Sequence, residues 1–405
     1  MHARGSNVGS VQPDALPPPV VSPTPPGWYP DPWRVAHYRW WDGRTWAANI
    51  ANGRGEVPVP GAQAGRRPRL RASLSAPVVI AGLLLLPLIG FVAVQDPVVL
   101  ALALIPLLLI IPVLIWIDRL EPEPWASRVH SLLWGATISV LVAGTVNGIV
   151  LINVSETAAA VVSAPLVEET MKGLGILWAV RRREVDGPVD GLVYAGWVGA
   201  GFAMVENLEY FLLASEDGVL AETFIARGLI TPFAHPLFTA WIGLAIGIAV
   251  ARKQRLPWAA LWGLAIAVAL HAGWNGSLVL AGETGEDWIL VVAALGFLVI
   301  FGLTVAMVIL LRGAERRRYL AAMPHLAQRY QIPVHEIGVF STWSEVLAHR
   351  RRLPRSQRRR FDEVHAALSR LAALYAQPGT PDLSAEYRLA MQVRDARAAL
   401  AASSK

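Results

Sequence analysis

Between residues 76 and 311 the chain alternates long apolar runs with short polar breaks. A helix needs about 20 apolar residues to cross the hydrocarbon core of a bilayer. Eight runs meet that length, at 76–94, 97–117, 129–152, 157–180, 189–213, 224–250, 257–281 and 287–311. The pattern predicts an all-α polytopic membrane protein with about eight transmembrane helices. The breaks fall into two sets. One set holds Arg66, Arg67, Arg69 and Arg71, then Arg119 and Arg128, Arg181 to Arg183, Arg252, Lys253 and Arg255, and Arg312 with Arg316 to Arg318. The other set, near Gln95-Asp96, Ser155-Glu156, Ser215 to Glu222 and Gly282 to Asp287, has no Lys or Arg. By the positive-inside rule this alternation predicts a multi-pass plasma-membrane protein with both termini in the cytoplasm.

Outside the apolar runs the pattern changes. Residues 1–26, rich in Pro, Ser, Gly and Val, read as a disordered leader. Residues 27–50 carry Trp28, Trp33, Trp40, Trp41 and Trp46 around an Asp42-Gly43 turn, which predicts a tiny β-hairpin module held by aromatic stacking. Residues 51–75 form a linker that ends in a basic juxtamembrane stretch, and 76–312 form the transmembrane domain. Residues 313–405 read as a cytoplasmic helical tail, with helical spacing at 313–331, 341–350, 355–377 and 384–401 and Pro378-Gly379 as a break. Phe361, Val364, Leu368, Leu371 and Leu374 recur as one apolar face. His335-Glu336 lacks a second His four residues on, so it is not the helical zinc-protease motif.

Composition narrows the chemistry. Of 405 residues 54% are hydrophobic and 16% charged, which excludes an ordinary soluble domain. There are no cysteines, so disulfides, thiolate metal sites and a thiol nucleophile are excluded. The net charge of +6 comes from basic clusters flanking the spans, which suits topology and anionic lipid, and no nucleic-acid partner is expected.

Ionisable groups within spans are costly and usually have a use. The fourth run holds Glu168, Glu169 and Lys172, the fifth Glu206 and Asn207, the sixth Arg227 and His235, and the seventh His271 and Asn275. Counting 1.5 Å per residue from the outer span ends, the acids and histidines sit at depths of roughly 10–17 Å, close enough to share one layer. Glu168 and Lys172 are four apart and share a face, whereas Glu169 points about 100° away. Such a set offers carboxylates to activate water and histidines to bind a metal or move a proton. Asn207 and Asn275 read as oxyanion donors or as interhelical hydrogen-bond glue, and Lys172 as a partner for Glu168. Glu209 and Arg227, near the outer interface, read as anchors or a rim pair. Pro87, Pro106 and Pro112 mark the first two spans, without ionisable groups, as scaffold. Asp118 to Trp125, dense in acids and prolines, reads as a rigid charged turn.

Two resemblances follow. The 27–50 segment closely resembles the short tryptophan-rich module of the DUF2510 type, found at the ends of many actinobacterial membrane proteins. Glu168-Glu169-x-x-Lys172, Phe202-x-x-x-Glu206-Asn207, His235 and His271, in successive spans after Asp118-Arg119…Glu121-Pro122-Glu123-Pro124-Trp125, resemble the PrsW family of intramembrane proteases. The CAAX-type prenyl endopeptidases are similar, but Glu206 stands where they have a His, and Lys172 lies one residue before their usual Arg. The PrsW resemblance implies hydrolysis of peptide bonds in single-pass or other membrane-protein substrates within the bilayer, regulatory proteins such as anti-sigma factors among them. It makes Glu168, Glu169, Glu206, His235 and His271 the candidate catalytic residues, with Lys172, Asn207 and Asn275 supporting. His235, His271 and Glu206 could ligate zinc, and the same set could equally work as a metal-free glutamate site. The competing class is a proton-coupled transporter or channel that uses the Glu/His cluster as a relay. Serine and aspartate intramembrane chemistry are disfavoured by the lack of Gly-x-Ser-Gly or Gly-x-Gly-Asp on a span.

Overall fold

The computed structural model describes residues 27–30, 38–41, 46–51, 56–57, 75–330, 343–376 and 383–402, and the account below concerns these. The leader, the Asp42-Gly43 turn, His335-Glu336 and the Pro378-Gly379 break lie outside them. Contacts divide the chain into two units, Leu70–Arg318 and Met1–Arg69 with Tyr319–Lys405.

The aromatic module is larger than the expected hairpin. Strands β1 (Gly27–Pro30), β2 (Tyr38–Trp41), β3 (Trp46–Ala51) and β4 (Glu56–Val57) form one antiparallel sheet in sequence order. Trp28 lies opposite Trp40 and Trp41 opposite Trp46. The Trp41 and Trp46 rings sit 5.2 Å apart, and Tyr29 meets Trp46 edge-on at 6.2 Å. Such contacts replace the apolar core that a module this short cannot build.

The membrane unit is helical throughout. Its helices are α1 (Ala76–Gln95), α2 (Pro97–Ile117), α3 (Trp125–Asn153), α4 (156–181), α5 (Pro188–Glu216), α6 (Leu220–Ala251), α7 (Leu256–Thr284) and α8 (Asp287–Tyr330). Seven of these are long and apolar enough to span a membrane among the described residues, and α4 is the exception. It is helical over the predicted run, but Glu168, Glu169 and Lys172 give it three charges within one membrane thickness.

At its other end the unit departs from expectation. The span at 287–311 and the helical stretch at 313–331, read as separate segments, are continuous, and α8 runs as one helix of 44 residues. Gly313 alone does not stop a helix followed by Ala314, Glu315, Arg316, Arg317 and Arg318, all good helix formers. In the second unit the end of α8 joins α9 (Trp343–Arg352), α10 (Arg355–Ala376) and α11 (Leu383–Ala402). Phe361, Val364, Leu368 and Leu371 share a buried core with Met323, Leu326, Val346 and Val393.

Helix α5 is the axis of the membrane unit. Of its most apolar stretch 89% is buried, against 17% for α7 and 11% for α8, whose side chains mostly face outward. Small residues make this possible, because in lipid the close approach of backbones is a main source of helix affinity. A Cβ at Gly201 would stand 1.9 Å from the Leu132 carbonyl oxygen of α3. One at Gly199 would stand 2.8 Å from the Pro236 nitrogen of α6, which fixes the backbone beside His235.

Of the π turns in the described helices, where the backbone is wound more loosely than in an α-helix, two serve the centre. In α4 residues Ala159–Ser163 form a π turn in which the Ala164 N–H bonds the Ala159 carbonyl. In that register the donor for the Ala160 carbonyl would be residue 165, and Pro165 has no N–H. Asn275 of α7 supplies it, donating from Nδ2 at 2.9 Å. In α6 residues Ile225–Ile230 form another π turn, and the helix breaks at Thr231-Pro232-Phe233 before restarting as Ala234–Ala251.

The acidic turn between α2 and α3 is fixed as expected. Both Asp118 carboxylate oxygens accept from the Glu123 N–H at 3.2 Å, and Asp118 pairs with Arg128. Tyr194 of α5 donates its hydroxyl to Glu123 Oε2 at 2.7 Å. Burial pushes the Asp118 carboxyl up to about 7 against the pull of Arg128. It pushes Glu123 up to about 8 against the Tyr194 hydrogen bond.

Two outcomes follow from this architecture. Gly201→Ala should cost about 1–3 kcal/mol by overpacking and lower the thermal midpoint in detergent. Gly144→Ala, where nothing lies within 4 Å of the added methyl, should not. Because both carboxyls bind protons more tightly folded than unfolded, their contribution to stability should be full below about pH 4 and be lost as pH rises through 7 to 8. Thermal scans of Glu123→Gln should show a shallower fall than wild type between pH 6 and 8.

Candidate active site

The charged groups predicted to share a layer do meet, and the centre of their cluster is an ammonium. Lys172 is fully buried, and its Nζ donates to Glu169 Oε1 at 2.8 Å and to Glu168 Oε2 at 3.4 Å. It also lies 3.0 Å from His235 Nδ1 and 3.9 Å from the centre of the Phe202 ring. The helical-wheel reading is therefore half right. Glu168 pairs with Lys172, but the long lysine stem folds back one turn and meets Glu169 more closely.

Each remaining group has a definite place. Glu169 is fully buried. It accepts from Thr239 Oγ1 at 2.8 Å and contacts His271 Nδ1 at 3.1 Å. Since a carboxylate can only accept, His271 donates from Nδ1 and its Nε2 carries the lone pair, 4.0 Å from Glu168 Oε2. His235 Nε2 lies 2.6 Å from Glu206 Oε2. One neutral tautomer of His235 serves both sides, donating from Nε2 to Glu206 and accepting at Nδ1 from Lys172. The His271 ring stacks on Phe238 at 5.1 Å and meets the His235 ring edge-on at 5.4 Å, which restrains both imidazoles.

The outer side of the cluster overturns one expectation. Arg227 is no anchor and does not pair with Glu209. It donates to Glu206 Oε2, which His235 also contacts, and from Nε to Asn207 Oδ1 at 3.0 Å, while stacking over the Tyr210 ring at 3.7 Å. The π turn and the break after it place Arg227 over α5, a placement that span counting does not reveal.

Residues 123–310 match the family model described as PrsW family intramembrane metalloprotease. This segment is thus similar to the PrsW family. Residues 26–64 match the model described as protein of unknown function DUF2510. Protease PrsW of Geobacillus kaustophilus (strain HTA426) is 35% identical over 154 residues, covering 35% of this chain and 64% of the relative. Protease PrsW of Clostridioides difficile (strain 630) is 33% identical over 152 residues, covering 35% of this chain and 63% of the relative. The chain thus spans a little under two thirds of the length of these curated relatives. No solved structure matches it.

Within residues 123–310, Glu168, His235 and His271 each offer a ligand atom within 4.8 Å of the others. Two imidazoles and a carboxylate suit zinc, and the Glu169 contact to His271 is the kind of outer support that orients a ligating histidine. The donor set therefore fits a metal, with Glu168 where the sequence suggested Glu206. Glu206 is taken up by Arg227 and His235. For His235 to offer its Nδ1 lone pair, Lys172 must release it.

Thr239, Asn147 and Ser163 went unread in the sequence. Thr239 follows His235 by four residues, so its position on the same face was legible. Asn147 of α3 donates to Glu168 Oε1 at 3.4 Å and accepts from Ser163 Oγ at 2.8 Å. That brings a fifth helix into the cluster, signalled only by one amide inside an apolar run. Asn275 lies apart from the cluster, holding the π turn of α4.

Removing the ammonium should be costly. Lys172→Met leaves two buried carboxylates uncompensated and is expected to destabilise by about 3–5 kcal/mol. Adding Glu169→Gln should recover part of that loss, as read from a double-mutant cycle of thermal or denaturant unfolding in detergent.

Proposed function

We propose that this chain is an intramembrane endopeptidase that hydrolyses peptide bonds of membrane-protein substrates, and that Glu168, Glu169, Glu206, His235 and His271 are its working groups. The observation that carries this reading is their single buried cluster, drawn from α4, α5, α6 and α7, within the segment similar to the PrsW family. The arginine distribution supports an orientation with both termini cytoplasmic.

The contacts divide the labour. Glu169 is saturated by Lys172, Thr239 and His271 and serves as the fixed anion that orients His271. Glu206, held by Arg227, fixes the tautomer of His235. Glu168 is the most loosely held of the three, its contacts lying at 3.4 Å or beyond. We assign to it the role of taking a proton from an attacking water. The Nε2 lone pair of His271 can take up a proton and return it to the leaving amine, whereas the single N–H of His235 is committed to Glu206. If a metal is bound, Glu168, His235 and His271 would hold it, and it would supply carbonyl polarisation and a more acidic water.

The test is cleavage of a single-pass substrate in proteoliposomes. Glu168→Gln should reduce turnover by about 10²–10⁴-fold, the range typical for loss of a general base. Glu206→Gln and His235→Ala should also lose activity at equal protein levels. Cleavage persisting in all three would refute the reading. Loss of ion-driven uptake in the variants without any proteolysis by wild type would favour a transporter.

A further inference from the structure

We propose that Arg227 is a positioning residue for Glu206, fixing the carboxylate that in turn fixes His235. Its catalytic consequence rests on the peptidase reading above, whereas its effect on the His235 ring does not.

The guanidinium is held at three points on one helix. It donates to Glu206 Oε2 and to Asn207 Oδ1, and it packs over the Tyr210 ring. Glu206 and Tyr210 are four residues apart on α5, so the arginine lies along one face of that helix. An anchor for the headgroup region would extend outward, and a simple rim pair would take Glu209, which is exposed one turn from Glu206. Arg227 does neither. Its side chain is 25% exposed and that of Glu206 17%.

The oxygen Arg227 contacts, Glu206 Oε2, also receives the His235 Nε2–H. Two donors on one oxygen leave little rotational freedom to the carboxylate. A fork that grips Glu206 and its neighbour Asn207 together also prevents the carboxylate from turning away with a rotamer change. His235 is then held by Glu206 on one side and Lys172 on the other, in one tautomer.

The element that carries Arg227 is built to deliver it from outside the central helices. The π turn Ile225–Ile230 precedes the non-helical Thr231-Pro232-Phe233, and the Thr231 hydroxyl closes the turn by donating to the Ala226 carbonyl at 2.9 Å. His235 lies just past the break. The two residues that meet at Glu206 therefore come from either side of one interruption in α6.

The test uses full-length protein and separates positioning from folding. Steady-state cleavage by Arg227→Gln should show kcat lowered 10- to 100-fold with KM within threefold, Arg227→Lys should recover part of kcat, and Glu209→Gln should stay within twofold of wild type. In parallel, ¹⁵N NMR of imidazole-labelled protein should show the wild-type His235 protonated at Nε2 and a mixture of tautomers in Arg227→Gln. A kcat within twofold of wild type in Arg227→Gln would overturn the proposal. So would equal losses in the Gln and Lys variants that track a lowered thermal midpoint. If wild type cleaves nothing, the peptidase reading fails, yet the His235 signal still decides. A tautomer unchanged in Arg227→Gln would overturn the positioning role.

Discussion

A lysine ammonium with no access to water must be surrounded by acceptors, and the centre of this protein is organised by that requirement. Lys172 finds Glu168 and Glu169 on its own helix and His235 on another, with the Phe202 ring at its flank. An uncompensated charge in the bilayer interior costs several kcal/mol, so each partner constrains the rest. Two glutamates sharing one lysine need further donors, and Thr239, His271 and Asn147 supply them. The same need draws α3, α5, α6 and α7 toward α4. The cluster is thus both the least lipid-compatible part of the chain and the part that dictates how its helices assemble.

Much of this was legible in the residue pattern, because the bilayer imposes a length and a polarity rule that few sequences satisfy by accident. The eight apolar runs are helical apart from the break at Thr231-Pro232-Phe233 in the sixth, and the residues expected in one layer are in contact. What the pattern concealed was direction. A helical wheel places Glu169 away from Lys172, but a four-carbon stem reaches across that angle. Arg227 looked peripheral because depth counting assumes an unbroken helix, and α6 is interrupted by a π turn and Pro232. Asn147 lay unmarked in an apolar stretch, since a single amide carries no signature until its partner is known. The 287–311 span and the 313–331 helix, read separately, run on as one helix because good helix formers follow Gly313.

The donor set also bears on the family description. His271 is supported like a metal ligand, with a carboxylate behind its Nδ1 and a free Nε2 in front. His235 is differently placed, its lone pair engaged by an internal cation. Loading a divalent ion and retaining the Lys172 contact to His235 Nδ1 are therefore competing arrangements if that nitrogen is the ligand. The balance between them depends on where the ammonium can go, which makes Lys172 part of the metal question as well as of the fold.

Helix α5 touches the second half of α6 backbone to backbone. A Cβ at Gly191 would lie 2.0 Å from the Gly243 carbonyl oxygen, and one at Gly247 2.3 Å from that of Gly187. A seam of this kind has no side chains that could swing aside and no gap that a lipid tail or a peptide could widen gradually. These two helices should therefore move together. Any opening that exposes the buried cluster has to leave them joined, with the displacement borne by elements that meet through longer side chains or by the break at Thr231-Pro232-Phe233.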